Sequence, residues 1–537
     1  MVAEVLGAVA SPHQLATDAG ASILRAGGSA VDAAIATNAA LAVVASYMCG
    51  LGGDAFWLIW SADTGRVEAL NGSGRAASGA TIEAARAAGL DEMPVRGPWT
   101  ITVPGAIRSW GDAHARHGRL PWAELIGPAI GLASGFPASE NWVATIEHAA
   151  TVYGADGDWA RSFRPEGRAW RTGETVRLSA LESTLRALVA EGPDVAYTGA
   201  LAARAATYLE ASGSPLRAQD FALSQSDWVE PISTTYRGVT SVTHPPNSCG
   251  PIAMELLNVL DSFPPPPRGA FTAAGVADAT WVHRGLEAAR VGIAHRDAWL
   301  SDPAAMTPGA LERMLDKASG REIAAALPER ASTPPPSTLP MGGGTVYLCT
   351  ADRWGGVVSL IESNYAGFGS GLVDPETGIA YQNRGAFFRL DPSHVNALAP
   401  RKRTVHTLTP GMLLRDGVPW IVHGSMGGEI QPQVFAQFVS AVVDGGMNVR
   451  DAVDAPRWAA DNEAHLGPPS LSALESRYDA GVVRGLRELG HDVRIRDAFD
   501  SAMGHEHAIE LRRDATGDIT GFDAASDPRS EGGSVAL

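Results

Sequence analysis

Thr345 stands directly after Gly342-Gly343-Gly344 and opens the apolar run TVYLCTA. A hydroxyl is a poor nucleophile at neutral pH, because little of it is alkoxide, and it needs a base within reach. Cutting the peptide bond between Gly344 and Thr345 would give Thr345 a free α-amine, which titrates near pH ~8. One residue would then supply both nucleophile and base. The same pattern also describes an ordinary threonine that opens a strand after a loop. A second stretch bears on the choice. In VPWIVHGSMGGEIQPQ a strand runs to Gly424-Ser425-Met426-Gly427-Gly428, and a helix begins near Gln431. Glycine N–H groups at such a turn, lying along a helix dipole, can receive an oxyanion. Turns of this composition also occur without any chemistry.

The elements that must hold these residues fall into two parts. Residues 13–46 have helical spacing broken at Gly27-Gly28, with Ser29 placed to cap a second helix. CGLGGDAFWLIWSADTGRVEALNG follows as a glycine turn and a hairpin about Asp63-Thr64-Gly65. From about 105 to 330 the reading is mainly helical, with Pro264 to Pro267 as a stiff loop. Residues 327–344 carry Pro, Ser, Thr and Gly without periodicity and read as a linker. Beyond it, strands are expected at TVYLCTADRWGGVVSLIES, IAYQNRG, MLLRDGVPWIVHG and HAIELRRDATGDITGFDAA. Helices are expected at PQVFAQFVSAVVDGG and LSALESRYDAGVVRGLRELG. A helix-rich part with one hairpin thus meets a strand-rich part. If they share one core, their strands stack as sheets flanked by helices, and the joint can be cut without loss of the fold.

Composition narrows the function classes. Of 537 residues, 45% are hydrophobic and 19% charged, the balance of a chain with a large core. With 42 Lys+Arg against 59 Asp+Glu, the formal charge is −17, which disfavours nucleic acid and anionic membranes as partners. Cys49, Cys249 and Cys349 are too sparse for a disulfide framework or a zinc ribbon, and Cys349 reads as core packing. The N-terminus has no basic, apolar leader pattern and no long apolar run occurs, so a cytoplasmic location is the default expectation. There is no G-x-S-x-G elbow and no phosphate-binding loop. His505 and His507 share one face of a strand, but two ligands are too few for a metal centre, and neither metal nor cofactor is expected.

The sequence resembles the γ-glutamyltransferase family of N-terminal-nucleophile proenzymes over nearly its whole length. The resemblance is carried by ILRAGGSAVDAAIATNAALAVV, CGLGGDAFWLIWSADTGRVEAL and TVPGAIRSW before the joint. After it come TVYLCTADRWGGVVSLIESNYAGFGSGLV, APRKRTVHTLTPGMLLRDG, VHGSMGGEIQPQ, DAVDAPRW and ASDPR. It implies an α+β fold, the αββα sandwich, and self-cleavage between Gly344 and Thr345. The products would be a large subunit, 1–344, and a small subunit, 345–537, joined as a heterodimer; the resemblance also allows a dimer of such heterodimers. Carried over, Thr345 is the nucleophile and Gly427 and Gly428 form the oxyanion turn. Asn364 resembles a position that holds the substrate's amino-acid end, and His406 and Thr407 stand where the family has paired serines for the substrate carboxylate.

The departures point to the substrate. Usual members have two threonines followed by His and an aromatic residue, where this chain has Gly344-Thr345-Val346-Tyr347. The family arginine that grips the α-carboxylate is absent from LNGSGRAAS, leaving Arg75 as a substitute whose planar fork suits a carboxylate. In AYQNRGAFFRL, Arg384 and Phe387 replace the Gln and acidic residue that receive the α-ammonium. Neither can pair with an ammonium. The pocket therefore suits a small-molecule amide whose acyl group is anionic but lacks the amine, as in cephalosporin acylases and oxamate amidohydrolases. Two alternatives stand beside this reading: a conventional glutathione hydrolase, and an unprocessed, inactive homologue that only binds.

Overall fold

The computed structural model describes residues 5–154, 156–333, 343–460 and 471–537. Most of the expected linker, 334–342, lies outside them.

Tyr347, Cys349 and Ala351 pack into one cluster of the core, while the alternate residues Val346 and Leu348 pack into another. A strand apolar on both faces must lie between two layers. It does so in a seven-stranded antiparallel sheet. Its order is Gly533–Ala536, Gly7–Ser11, Gly344–Asp352, Val357–Tyr365, Asp54–Ser61, Arg66–Gly72, Asp227–Val229. A six-stranded sheet covers its inner face, in the order Ile519–Ser526, His505–Arg513, Val418–Met426, Pro410–Arg415, Val239–Thr243, Ile232–Tyr236. Between them lies a dry layer that includes Phe56, Leu58, Tyr347, Met412, Val422 and Ile509. Helices Gln14–Arg25 and Ala30–Val44 cover the outer face of the first sheet, with Trp122–Ser134 packed on them; Gly250–Leu260 and Gln431–Val443 cover that of the second, with Ala279–Trp299 packed on them. This is the αββα sandwich. Each sheet takes strands from both sides of the joint.

Helix Ala30–Val44 is buried along its whole length. Its alanines let it lie close to the sheet, and Ser29 and Asp32 close a capping box at its start. Its one amide, Asn38, donates to Glu362 at 2.7 Å and accepts from Trp110 Nε1 at 2.8 Å, so that amide is satisfied on both sides.

Three sequence expectations are corrected. The region 105–330 contains a second hairpin, Ile232–Tyr236 and Val239–Thr243, about the two-residue turn Arg237-Gly238, with φ of 49° and 83°. Its inward residues alternate, but they include Thr234, so polarity hides the period. IAYQNRG forms isolated bridges and then the short 3-10 turn Arg384–Phe387. In LSALESRYDAGVVRGLRELG, Leu471–Glu475 is a strand and only Ala480–Glu488 is helical.

Candidate active site

The Gly344–Thr345 bond lies inside the first sheet, with Thr345 only 2% exposed. Gly344 pairs with Tyr365 and Thr345 with Ser363, which leaves Asn364 as the extra residue of a β-bulge at this bond. Glycine is required before the threonine: a Cβ at 344 would stand 2.5 Å from the Ala366 carbonyl oxygen. Ser363 is the residue the sequence did not single out. Its hydroxyl donates to the Gly344 carbonyl at 2.7 Å and lies 2.9 Å from the Thr345 hydroxyl. It also accepts from the Tyr365 N–H at 2.8 Å and from Arg384 Nη2 at 3.0 Å. One serine therefore bridges the hydroxyl, the preceding carbonyl and a guanidinium.

Directly across the next strand pair, Ser363 faces Asp54. Asp54 Oδ1 accepts from the Gly74 and Gly105 N–H groups, both at 3.0 Å, while Oδ2 has no partner and lies 3.5 Å from His406 Nε2. Burial pushes the Asp54 carboxyl up to about 7. Burial, with the Arg384 and Arg403 charges nearby, holds His406 well below the usual imidazole range, so its ring is neutral. Thr407 is buried with an unpartnered hydroxyl.

Arg384 is 1% exposed, between the rings of Tyr365 and Phe387, whose centroids lie 4.5 and 5.5 Å from its guanidinium carbon. Its Nε and Nη1 have no hydrogen-bond partner, and no carboxylate pairs with it among the described residues. Burial lowers it to about 10, so it stays charged at neutral pH. A buried cation left unpaired is costly unless an anion completes it.

The other expected binders are placed differently. Arg75 is engaged: Nη1 lies 3.2 Å from Asp302 and Nη2 3.4 Å from Asp227, and Arg403 reaches the same Asp227. Its expected carboxylate would have to displace two aspartates already in place. The Asn364 amide lies beside Gly50 and Gly53 rather than bonded to Thr345, and neither of its polar atoms has a partner.

Gly427 and Gly428 follow strand Val418–Met426 with φ of 141° and 59°, a backbone open to glycine. The strand is aligned against that of Thr345. Ser359, opposite Cys349, donates to the His423 carbonyl at 3.4 Å, and Gly424 abuts Tyr347, where a Cβ would stand 2.5 Å from the ring. Beyond Gly424 this strand runs on to Met426 and the glycine turn, where the atoms nearest a Cβ built at Gly427 belong to Ile430 and Gly504. A proline probe at 427 is excluded by that φ.

Among the described residues, His283, Glu287 and His491 bring metal-type ligand atoms within 4.8 Å of one another. All are already bonded. His283 Nδ1 meets His491 Nε2 at 2.7 Å, His283 Nε2 meets the Pro328 carbonyl, and Ser472 meets His491 Nδ1. Glu287 is paired with Arg290 and Ser332. His505 and His507 bond to Ser501 and to the Asp527 N–H. The other ring nitrogens, His505 Nδ1 and His507 Nε2, are buried without a partner among the described residues.

A family profile for γ-glutamyltranspeptidase matches residues 16–537. The chain belongs to that family. It is similar to the glutathione hydrolase-like YwrD proenzyme of Bacillus subtilis, 37% identical over 98% of both chains. It is 36% identical to the oxamate amidohydrolase proenzyme of Klebsiella pneumoniae, covering 98% of this chain and 97% of that one. The solved cephalosporin acylase from Bacillus halodurans superposes with a TM-score of 0.90 at 36% identity, covering 99% of this chain and 96% of that one. As a γ-glutamyltranspeptidase-family protein the chain is an N-terminal-nucleophile amidase with the αββα fold. No helix among the described residues is long and apolar enough to cross a membrane.

Two buried acids give the family fold here a pH signature. Burial raises Asp54 to about 7 and Glu362 to about 8, above their ordinary values of 3.8 and 4.5. The folded state therefore holds these protons more tightly than the unfolded chain, and stability falls as pH rises from about 4 to about 8. Glu362→Gln, which keeps the shape and one of the two acceptor oxygens that receive Asn38 and the Gly50 N–H, removes one contribution. Its melting temperature is expected to fall less than that of wild type between pH 5 and pH 8.5, by a margin equivalent to a few kcal/mol. Equal slopes for the two proteins would refute a protonated Glu362.

Proposed function

We propose that the chain cuts itself between Gly344 and Thr345, and that the Thr345 α-amine and hydroxyl then hydrolyse amides of small anionic acyl groups through an acyl-enzyme. Residues 1–344 and 345–537 would remain together, because each sheet draws strands from both. The relatives' description as proenzymes supports this order of events. The Gly427 and Gly428 N–H groups would receive the oxyanion. The observation that carries the substrate reading is Arg384: buried, charged, without a paired carboxylate among the described residues, and joined to Thr345 through Ser363.

An acyl carboxylate would pair with this guanidinium, with His406 and Thr407 as neutral hydrogen-bonding neighbours. An α-ammonium does not, since the place that would receive it is filled by Arg384 and the Phe387 ring. Desolvating an ammonium beside them costs at least about a few kcal/mol. Oxamate, the substrate in one relative's name, and a glutaryl group both carry the anion without the amine.

The test is a paired assay of glutaryl and γ-glutamyl anilides. The glutaryl compound is expected to have the higher kcat/KM by about a hundredfold, from the charge cost converted at 1.4 kcal/mol per power of ten. Phe387→Asp should move the preference back toward γ-glutamyl. A wild-type enzyme that prefers the γ-glutamyl anilide by tenfold or more would make it a conventional glutathione-type hydrolase.

A further inference from the structure

We infer that Arg384 works before any substrate arrives: it is the positioning residue that holds the Ser363 hydroxyl on the Gly344 carbonyl for cleavage of the Gly344–Thr345 bond. The inference rests on the self-processing proposed above and goes beyond the substrate role given there to Arg384.

The uncleaved chain lacks the device that the mature enzyme uses. Thr345 nitrogen is still an amide, so no α-amine is available as a base. The group already in place on the carbonyl to be attacked is the Ser363 hydroxyl, at 2.7 Å. A serine has one proton to give and could turn it toward either Gly344 or Thr345. Arg384 Nη2 at 3.0 Å and the Tyr365 N–H at 2.8 Å both donate to the Ser363 oxygen. Together they occupy both lone pairs of the Ser363 oxygen and leave its one proton directed at the Gly344 carbonyl. A cationic donor on a hydroxyl oxygen also makes that hydroxyl the stronger donor in turn. Tyr365 and Phe387 flank the guanidinium, so the contact is held rather than sampled.

The step balances within the chain plus one water. Thr345 Oγ1 bonds to the Gly344 carbonyl carbon, and the negative charge that develops on the carbonyl oxygen is met by the Ser363 O–H. The carbon–nitrogen bond then breaks, the hydroxyl proton ends on the departing Thr345 nitrogen, and an ester links Gly344 to Thr345. Water hydrolyses that ester, giving the Gly344 carboxylate and restoring the Thr345 hydroxyl.

The test follows cleavage of newly translated full-length chain in vitro, by denaturing gel, for wild type, Arg384→Met and Arg384→Lys. Arg384→Met is expected to slow cleavage about a hundredfold, as loss of support for an oxyanion donor does. Arg384→Lys should recover part of that loss, and millimolar guanidinium added to Arg384→Met should accelerate cleavage. A merely structural role would show neither recovery. If wild type is cleaved and Arg384→Met matches its rate, Arg384 has no part in processing while self-cleavage stands. A slow Arg384→Met helped by neither lysine nor guanidinium also overturns the role. An uncleaved wild-type chain removes the self-processing reading itself.

Discussion

Thr345→Ala is expected to yield a single folded chain of 55.9 kDa with no measurable amidase activity. The hydroxyl is the attacking atom in both proposed reactions, so its loss stops the cut and every later turnover. Removing the nucleophile of an acyl-transfer enzyme typically costs at least about four powers of ten in rate. The fold should survive. Thr345 contributes one side-chain hydrogen bond, to Ser363, and Ser363 keeps its contacts with the Gly344 carbonyl, the Tyr365 N–H and Arg384. A denaturing gel, a melting curve and an anilide assay on the same preparation check this. Cleavage at the wild-type rate in the alanine variant would mean that another protease or another residue makes the cut.

Ser363→Ala should come next in effect. It removes the donor to the Gly344 carbonyl and the partner of the Thr345 hydroxyl in one change. It also leaves Arg384 Nη2 without its acceptor. Loss of one donor to a developing oxyanion typically slows a reaction by about two to three powers of ten, and processing of this variant is expected to fall by that factor. Ser363→Thr keeps the hydroxyl and should cleave far faster than the alanine variant. Alanine and threonine variants that process equally would show that the hydroxyl is a packing feature only.

What could be read from the sequence followed the range of the interactions. Thr345 after its glycines and the Gly427-Gly428 turn are local patterns, and so are the capped helix Ala30–Val44 and the hairpin about Asp63. The sandwich itself was legible from the strand and helix periods together with the resemblance. Ser363 and Asp54 were not, because what marks them is a row across three strands: Thr345 opposite Ser363, and Ser363 opposite Asp54. Asp54 had a faint local signal, a carboxylate opening an otherwise apolar strand. Arg75 illustrates the converse. Its guanidinium looked available in LNGSGRAAS, but Asp227 and Asp302, far along the chain, hold it. The atypical Gly344 has its reason in the Ala366 carbonyl, which only the fold brings near. The second hairpin escaped notice because its inward threonine breaks the apolar alternation on which such readings depend.

The most direct test of the account is the intact mass and N-terminal sequence of the purified wild-type protein under denaturing conditions. Two fragments are expected, with masses that sum to 55.9 kDa and the smaller beginning Thr-Val-Tyr-Leu. One intact chain, or a small fragment that begins at any residue other than Thr345, would contradict it.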